Sequence, residues 1–410
     1  MKKTIITWSK RIGWFLAILL ISANLFIVLS GRFYLYKGVY FTYLRGESGP
    51  TIFDLDKFPV DTILAAQQSV PWAEKDLLTL TQAEVNYMQQ WQTSSFLVIH
   101  RDSIVAEKYF NDHLPKTVSN SFSAAKTVVA LLIGIAWDEG KIKSLDEPVW
   151  HYLPKFKENN RDQITIRHLL WMASGLDWTE SGTDPLSDNS ESYYGWDLWG
   201  LVHQQQQEQA PGMRFNYQSG NTQLLGYILE KATGESLGNY ASRKLWQPLG
   251  AESTAFWSLD KLHGDPKAFC CLYSTTRDFA KLGLLFTHHG NIGGKQIVSK
   301  AYLDEMVKNP KLTTDEGVPN TRYGLHVWTY VSNGHKVVYY RGMKGQYVIT
   351  VPEEELIIVR TGSRRAPNVR VPKNVRSLTK AEQEKLDHPE DLFRYLEVGR
   401  RIVRESSQRK

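Results

Sequence analysis

Apolar and polar positions divide the chain into stretches of different period. The first is an almost unbroken apolar run over residues 12–30, behind Lys2, Lys3, Lys10 and Arg11. About 20 helical residues cross a bilayer core, so the run predicts a membrane-spanning helix. Residues 32–75 are aromatic, punctuated by Gly and Pro, and without a clear period; they read as a stalk and lead-in. Residues 96–100 and 104–110, joined by Arg101-Asp102-Ser103, predict a β-hairpin. Residues 123–139 are apolar on every face and stop at Gly140, which predicts a helix buried at the centre of a domain. Thr165 is placed to cap a short helix ending near Ser174-Gly175, and residues 221–232 predict a helix closed by Gly234. Further helices are expected over 274–287 and 299–308. Late in the chain, residues 326–331, an Asn333-Gly334 turn, and residues 337–340, 346–351 and 356–360 predict an antiparallel meander.

Strands at both ends with helices between them predict an α+β fold: one antiparallel sheet built from both ends of the domain, with a large central helical region. The expected organisation is an anchor over 1–31, a stalk over 32–75, a domain over 76–363, and a basic C-terminal tail over 364–410. That tail carries one helix, 390–404, opened by Pro389.

The net charge of +6 suggests nucleic acid until it is located. Residues 1–50 carry seven basic side chains against one acidic, and residues 364–410 carry thirteen against seven. The stretch between them is therefore acidic and a poor match for a phosphate backbone, so no nucleic-acid partner is expected. Basic residues ahead of the apolar run favour an inward N-terminus, which makes a single-pass membrane protein with its main domain outside the cytoplasm. A cleaved signal peptide is the alternative, although the run is longer than a usual signal core and no A-x-A follows it. The two cysteines, Cys270 and Cys271, are adjacent. Neighbours cannot staple a loop, so buried free thiols are expected.

Candidate chemistry begins with Ser-x-x-Lys, whose two side chains share one helical face. The pattern occurs at Ser123, Ser258, Ser377 and Ser407, but only Ser123 opens a buried apolar helix. Burial there lowers the pKa of Lys126 until it can accept a proton, and a serine needs such a base. Tyr217-Gln218-Ser219, just ahead of the 221–232 helix, is the second candidate. Its phenol could act as a base if neighbouring cations lowered its pKa. Gly342-Met343-Lys344-Gly345-Gln346 lies between two strands, where glycines permit close approach to a ligand and strand N–H groups can complete an oxyanion hole. Gly234-Glu235-Ser236-Leu237-Gly238 matches a nucleophile elbow, but it follows a helix rather than a strand, so a helix C-cap and the next N-cap explain it.

The segments SFSAAK, DEGKIKSLDEPVWHYLP, TIRHLLWMASGL, PGMRFNYQSGNTQLLGYILEKATG and GMKGQYVITVP occur in an order that resembles the class C β-lactamase-like serine hydrolases. The likeness covers roughly residues 80–362 and is greatest to the branch containing 6-aminohexanoate-dimer hydrolase and related esterases. The resemblance implies Ser123 as acylated nucleophile, with Lys126 and Tyr217 as acid/base partners. Backbone N–H groups at Ser123 and the edge strand would hold the oxyanion, with Ser219, Lys344, Gly345 and Gln346 about the substrate. Ser219 stands where many relatives have Asn, and the third motif has no clean Lys-Thr-Gly. Both departures favour amide or ester hydrolysis over β-lactamase or D,D-peptidase activity. A binding protein that keeps the fold and holds a cell-wall fragment is the alternative from another class.

The expected partner is a small or peptide-like amide or ester. His288-His289 lacks ligand partners at metal spacing, His168 reads as packing, and no metal or cofactor is expected. Residues 177–209 carry seven acids and no Lys or Arg among several aromatics. A solvated loop anchored by rings is one reading, and a charge-selecting lid over the serine is the other.

Overall fold

A computed structural model describes residues 2–314, 317–372 and 378–408. The principal sheet has seven strands: β1 (Ala73–Glu74), β2 (Thr93–His100), β3 (Ser103–Tyr109), β4 (Trp328–Ser332), β5 (His335–Gly342), β6 (Gln346–Val351) and β7 (Leu356–Gly362). Their spatial order is β4-β5-β6-β7-β2-β3-β1, antiparallel except for the short β1–β3 pair. The last strand of the late meander thus pairs with the first long strand of the early hairpin, in the register Ile358↔Val98. The α+β arrangement with a sheet assembled from both ends is the observed one.

Both faces of the sheet are covered. Leu97, Ile99, Val338, Val348, Ile357 and Val359 share one hydrophobic core with the central helix α3 (Ala125–Asp138) and the helix Thr276–Thr287. Their neighbours Phe96, Val98, Val337, Ile349 and Ile358 point the other way, into a second core. A strand buried on both sides needs apolar residues at consecutive positions, and this is why these segments read as continuous runs.

That second core corrects the expectation for the tail. The C-terminal helix, Glu390–Gln408, buries Leu392, Tyr395, Leu396, Val398 and Ile402 against the sheet. Arg400 and Arg401 pair with Glu354 and Glu84. The basic charge lies on the outer face of a helix whose inner face completes the domain. Ser377 lies outside the described residues; Ser407 sits on this helix, and its hydroxyl is spent on the Val403 carbonyl.

The stalk is corrected in the same way. Ile52 and Phe58 are buried with Tyr193, Phe269 and Tyr273, and Val60–Ile63 pairs antiparallel with Ala255–Ser258 in a second, four-stranded sheet. The aromatics without a helical or strand period are buried against the domain piecemeal, by turns and short elements. Ahead of them come helix α1 (Lys2–Ser30) and the short helix α2 (Tyr34–Phe41). Within α1, residues Lys10–Ser30 are long and apolar enough to cross a membrane, and none of that stretch packs on the domain.

Local signals behave as their chemistry dictates. Thr165 caps Ile166–Leu170 with His168 as its reciprocal partner, and Gly234 ends Ser219–Thr233 in the left-handed conformation while Ser236 caps the next helix. The Thr165-capped helix stops at Leu170, earlier than its composition suggests, because Met172 takes φ +56°. Cys270 and Cys271 are paired in a vicinal disulfide rather than free. The expectation that they do not staple the fold stands, since the ring they close contains only themselves.

Candidate active site

Ser123 lies at the junction where the chain turns from the second sheet into α3. Ser119–Asn120 pairs with Leu272–Ser274, and the Ser121 N–H donates to the Leu272 carbonyl (2.8 Å). Phe122 then adopts φ +46°, a strained conformation for a bulky residue. The Asn120 side chain fixes it by accepting from the Phe122 N–H at 2.8 Å. Residues Phe122–Ala124 form one tight turn and α3 follows, so Ser123 occupies the helix approach and Lys126 its first turn.

Lys126 is 1 % exposed, and all three of its donor directions are used. Its Nζ donates to Ser123 Oγ (3.2 Å), to Ser219 Oγ (3.0 Å) and to the Phe269 carbonyl (2.8 Å). Burial pushes its pKa down to about 8, opposed by the Glu180 carboxylate. Deprotonated, the amine would keep two donors and turn a lone pair toward one of these oxygens.

The Tyr217 phenol lies within hydrogen-bonding reach of Ser123, and the Lys126 Nζ is 5.2 Å from the centre of its ring. Burial pushes the phenol's pKa up, Glu180 adds to the rise, and the Ser123 hydrogen bond opposes it. The condition under which Tyr217 would be the base, a lowered pKa, is therefore not met. The resting phenol is protonated, and Lys126 is the group poised near neutrality.

Glu180 was not singled out by sequence reasoning. One carboxylate oxygen accepts from Ser219 Oγ (2.8 Å), the other from the Ser219 N–H (2.7 Å) and from the Trp178 indole (2.8 Å). Ser219, at the start of helix Ser219–Thr233, is thereby held between a lysine and a carboxylate. The only signal was an acid within residues 177–209, and nothing local distinguishes it from the other six. Those six do not line the cavity. Asp188 ties down Thr179, Asp197 caps Leu198–His203, and Asp177 accepts from the Gln206 N–H. The segment does border the cavity, through Glu180, Pro185, Asn189, Tyr193 and Tyr194, so it is a wall with one charge rather than a charged lid.

The cavity over Ser123 has a volume of about 560 Å³ and is lined also by Tyr217, Ser219, Arg341, Gly342 and Met343. Gly342 ends β5 so close to the turn that carries Ser123 that a Cβ there would run into the Ser121 carbonyl oxygen. The structure thus brings Ser123, Lys126, Tyr217 and Ser219 together. It does not bring Lys344, Gly345 or Gln346 to the cavity, a correction with a plain cause. Lys344 takes φ +62° and donates to the Pro50 carbonyl (2.5 Å). The Gly345 carbonyl accepts from buried Arg360 (2.8 Å), and the Gln346 amide bridges the Met343 and Gly362 carbonyls. The left-handed turn at Lys344 sends these three into the end of the sheet, where β6 starts between β5 and β7, and leaves Gly342 and Met343 lining the cavity with Ser123. His326 is packing: it sits between Thr222 and the Leu170 carbonyl, with its pKa pushed down to about 3 by burial.

The family model described as Beta-lactamase matches residues 80–383. A 6-aminohexanoate-dimer hydrolase from Paenarthrobacter ureafaciens is 26% identical over 300 residues, covering 69% of this chain and 76% of that protein. An esterase from Burkholderia gladioli is 29% identical over 164 residues, 37% of this chain and 40% of its own. Among solved structures, a Bacillus anthracis protein provisionally assigned as a 6-aminohexanoate-dimer hydrolase superposes with a TM-score of 0.69 at 20% identity, covering 76% of this chain and 87% of its own.

Proposed function

The chain belongs to the beta-lactamase family, and on that footing we propose that it is a serine hydrolase cleaving an amide or ester bond through an acyl-enzyme on Ser123. The observation that carries the reading is the buried Lys126 amine, hydrogen-bonded to both Ser123 and Ser219, whose side chains line a cavity of ligand size. Neutral Lys126 takes the Ser123 proton as Oγ attacks the carbonyl carbon. The Ser123 N–H and the Gly342–Met343 segment hold the oxyanion. The protonated Tyr217 phenol donates to the leaving amine or alkoxide and is recharged from Lys126. Water then attacks the acyl carbon, with the same groups working in reverse, and frees Ser123. The family has amide- and ester-cleaving relatives, and both bond types fit this sequence of proton transfers.

The Lys10–Ser30 helix is read as an uncleaved anchor with the catalytic domain outside the cytoplasm. The Tyr36 hydroxyl donates to Asn24 Oδ1 (2.8 Å), which ties that helix to α2 and supports the reading.

Intact mass after a fluorophosphonate probe tests the chemistry. A single adduct is expected on the full-length protein and none on Ser123→Ala, whose kcat falls by several orders of magnitude. Absence of an adduct, with no turnover of p-nitrophenyl esters or nitrocefin, would leave only a binding protein of this fold. Nitrocefin turnover exceeding that of every ester would move the assignment to a β-lactamase.

A further inference from the structure

We propose that the substrate is a long-chain acyl ester or amide whose chain reaches Ser123 directly from the membrane, along a cavity wall made by α2. The proposal rests on the hydrolase reading and adds to it the substrate class and its route.

Helix α2 starts four residues after the apolar helix ends. Tyr34, Leu35, Gly38, Val39, Thr42 and Tyr43 of this region line the same cavity as Ser123, Tyr217 and Ser219. The cavity is thus walled both by the polar serine site and by the segment nearest the span. An acyl ester needs both: a polar centre for the carbonyl and an apolar path for the tail.

The depth of α2 relative to the bilayer follows from one contact. Tyr36 reaches Asn24, six residues before the end of the apolar helix, so α2 lies beside the last ~9 Å of that helix. The 21-residue apolar stretch is about 31 Å long, close to the ~30 Å of a bilayer core, so α2 lies where the hydrocarbon meets the headgroups. The side of α2 away from the domain matches that position. Phe33, Tyr36 and Tyr40 are 47%, 42% and 54% exposed, and Leu44 is 73% exposed. Aromatic rings exposed beside a span form the belt found at membrane surfaces.

The segment is also held in place. The Tyr34 hydroxyl donates to the Pro185 carbonyl (3.0 Å), and the Arg32 guanidinium to the Leu186 carbonyl (2.8 Å). Gly38 meets the Tyr194 ring so closely that a Cβ there would already touch it (3.5 Å). Lys57 donates to the Phe41 carbonyl (3.0 Å) and pairs with Glu47. A chain leaving the outer leaflet along α2 therefore enters the cavity without crossing water. In the acylation step the Ser123 Oγ–C bond forms as the C–O or C–N bond to the headgroup breaks, and that group leaves with the proton from Tyr217. Water then releases the fatty acid.

The test uses full-length protein in phosphatidylcholine vesicles, with p-nitrophenyl acetate, hexanoate and dodecanoate. Each methylene taken out of water is worth about fourfold in binding, so kcat/KM is expected to rise at least tenfold from acetate to dodecanoate. The dodecanoate should react faster when it shares the protein's vesicles than when it is held in separate ones. Val39→Trp, at a position 45% exposed and tolerant of bulk, should narrow the path and cut dodecanoate turnover at least tenfold more than acetate turnover. Leu35→Asp should do the same by charge. Acetate turnover with no chain-length preference, or equal losses for both esters in the variants, would overturn the membrane route and leave the hydrolase intact. No turnover of any ester and no fluorophosphonate adduct would instead remove the hydrolase reading. Equal rates from shared and separate vesicles would overturn delivery from the bilayer.

Discussion

In the proposed mechanism the titration of Lys126 sets the pH dependence of the reaction. Its pKa is pushed from 10.5 to about 8 because the amine is buried and only Glu180 offsets the loss of water. At pH 7.4 a group of pKa 8 is about 20% neutral, whereas one of pKa 10.5 is about 0.1% neutral. Burial therefore supplies roughly a 250-fold larger pool of competent base, equivalent to about 3 kcal/mol. The assay is kcat/KM for a soluble p-nitrophenyl ester from pH 6 to 9.5, with Ser123→Ala subtracted for alkaline hydrolysis. The expected profile climbs tenfold per pH unit below 7 and levels off around a midpoint of about 8. Lys126→Arg keeps a cation in the pocket but cannot lose its proton, so it should lose at least a thousandfold and show no such limb. Tyr217→Phe should lower the rate by slowing departure of the leaving group while the midpoint stays where it was. A flat profile, a midpoint near 10.5, or a midpoint that vanishes in Tyr217→Phe but survives in Lys126→Arg would refute the reasoning and make the phenol the base.

Further outcomes follow from other contacts. Glu180→Gln removes the carboxylate that raises the Lys126 pKa and steadies Ser219, so the midpoint should move to lower pH while the plateau rate falls; an unmoved midpoint in the same titration would exclude the electrostatic role. Gly342→Ala sets a Cβ against the Ser121 carbonyl and should cost about 1–3 kcal/mol of stability along with most of the activity, read by urea melts and ester turnover. Leu396→Ala, in the C-terminal helix, should destabilise by about 2–5 kcal/mol in the same melts; a change within 0.5 kcal/mol would mean that the helix is a dispensable tail. His326 and His388 are buried, with pKa values pushed down to about 3. The unfolded chain takes up protons below pH 6.5 that the folded one does not, so stability should fall as pH drops from 6.5 toward 3. At pH 5 the loss is about 2 kcal/mol for each histidine, and His388→Asn should flatten the slope.

Much of this was legible in the residues themselves. Consecutive apolar positions specify strands covered on both faces and a helix buried all round, because each side chain's burial is decided mainly by its own hydrophobicity. The i, i+3 spacing puts Ser123 and Lys126 on one face, since helical geometry is local. The family was readable in the order of several short motifs, although none of them is specific alone. Gly234, Thr165 and Ser236 behaved as their cap chemistry requires.

Contacts between distant segments were decided only in three dimensions. Glu180 stands 39 residues from Ser219 and carries the same chemistry as six acids of its segment that do not line the cavity. The turn at Lys344 moves the cavity edge from residues 344–346 to 342–343, because one left-handed residue redirects everything after it. Residues 32–75 and 390–408 lie outside the motif-bearing stretch, yet they close the cavity and the sheet. An amphipathic or aperiodic segment shows that it must be covered, and only the folded chain shows by what. The sequence alone determined which side chains had to leave water and which pair could share a proton; the tertiary structure decided which surfaces met, and so which of the acids in residues 177–209 and which helix came to line the serine's cavity.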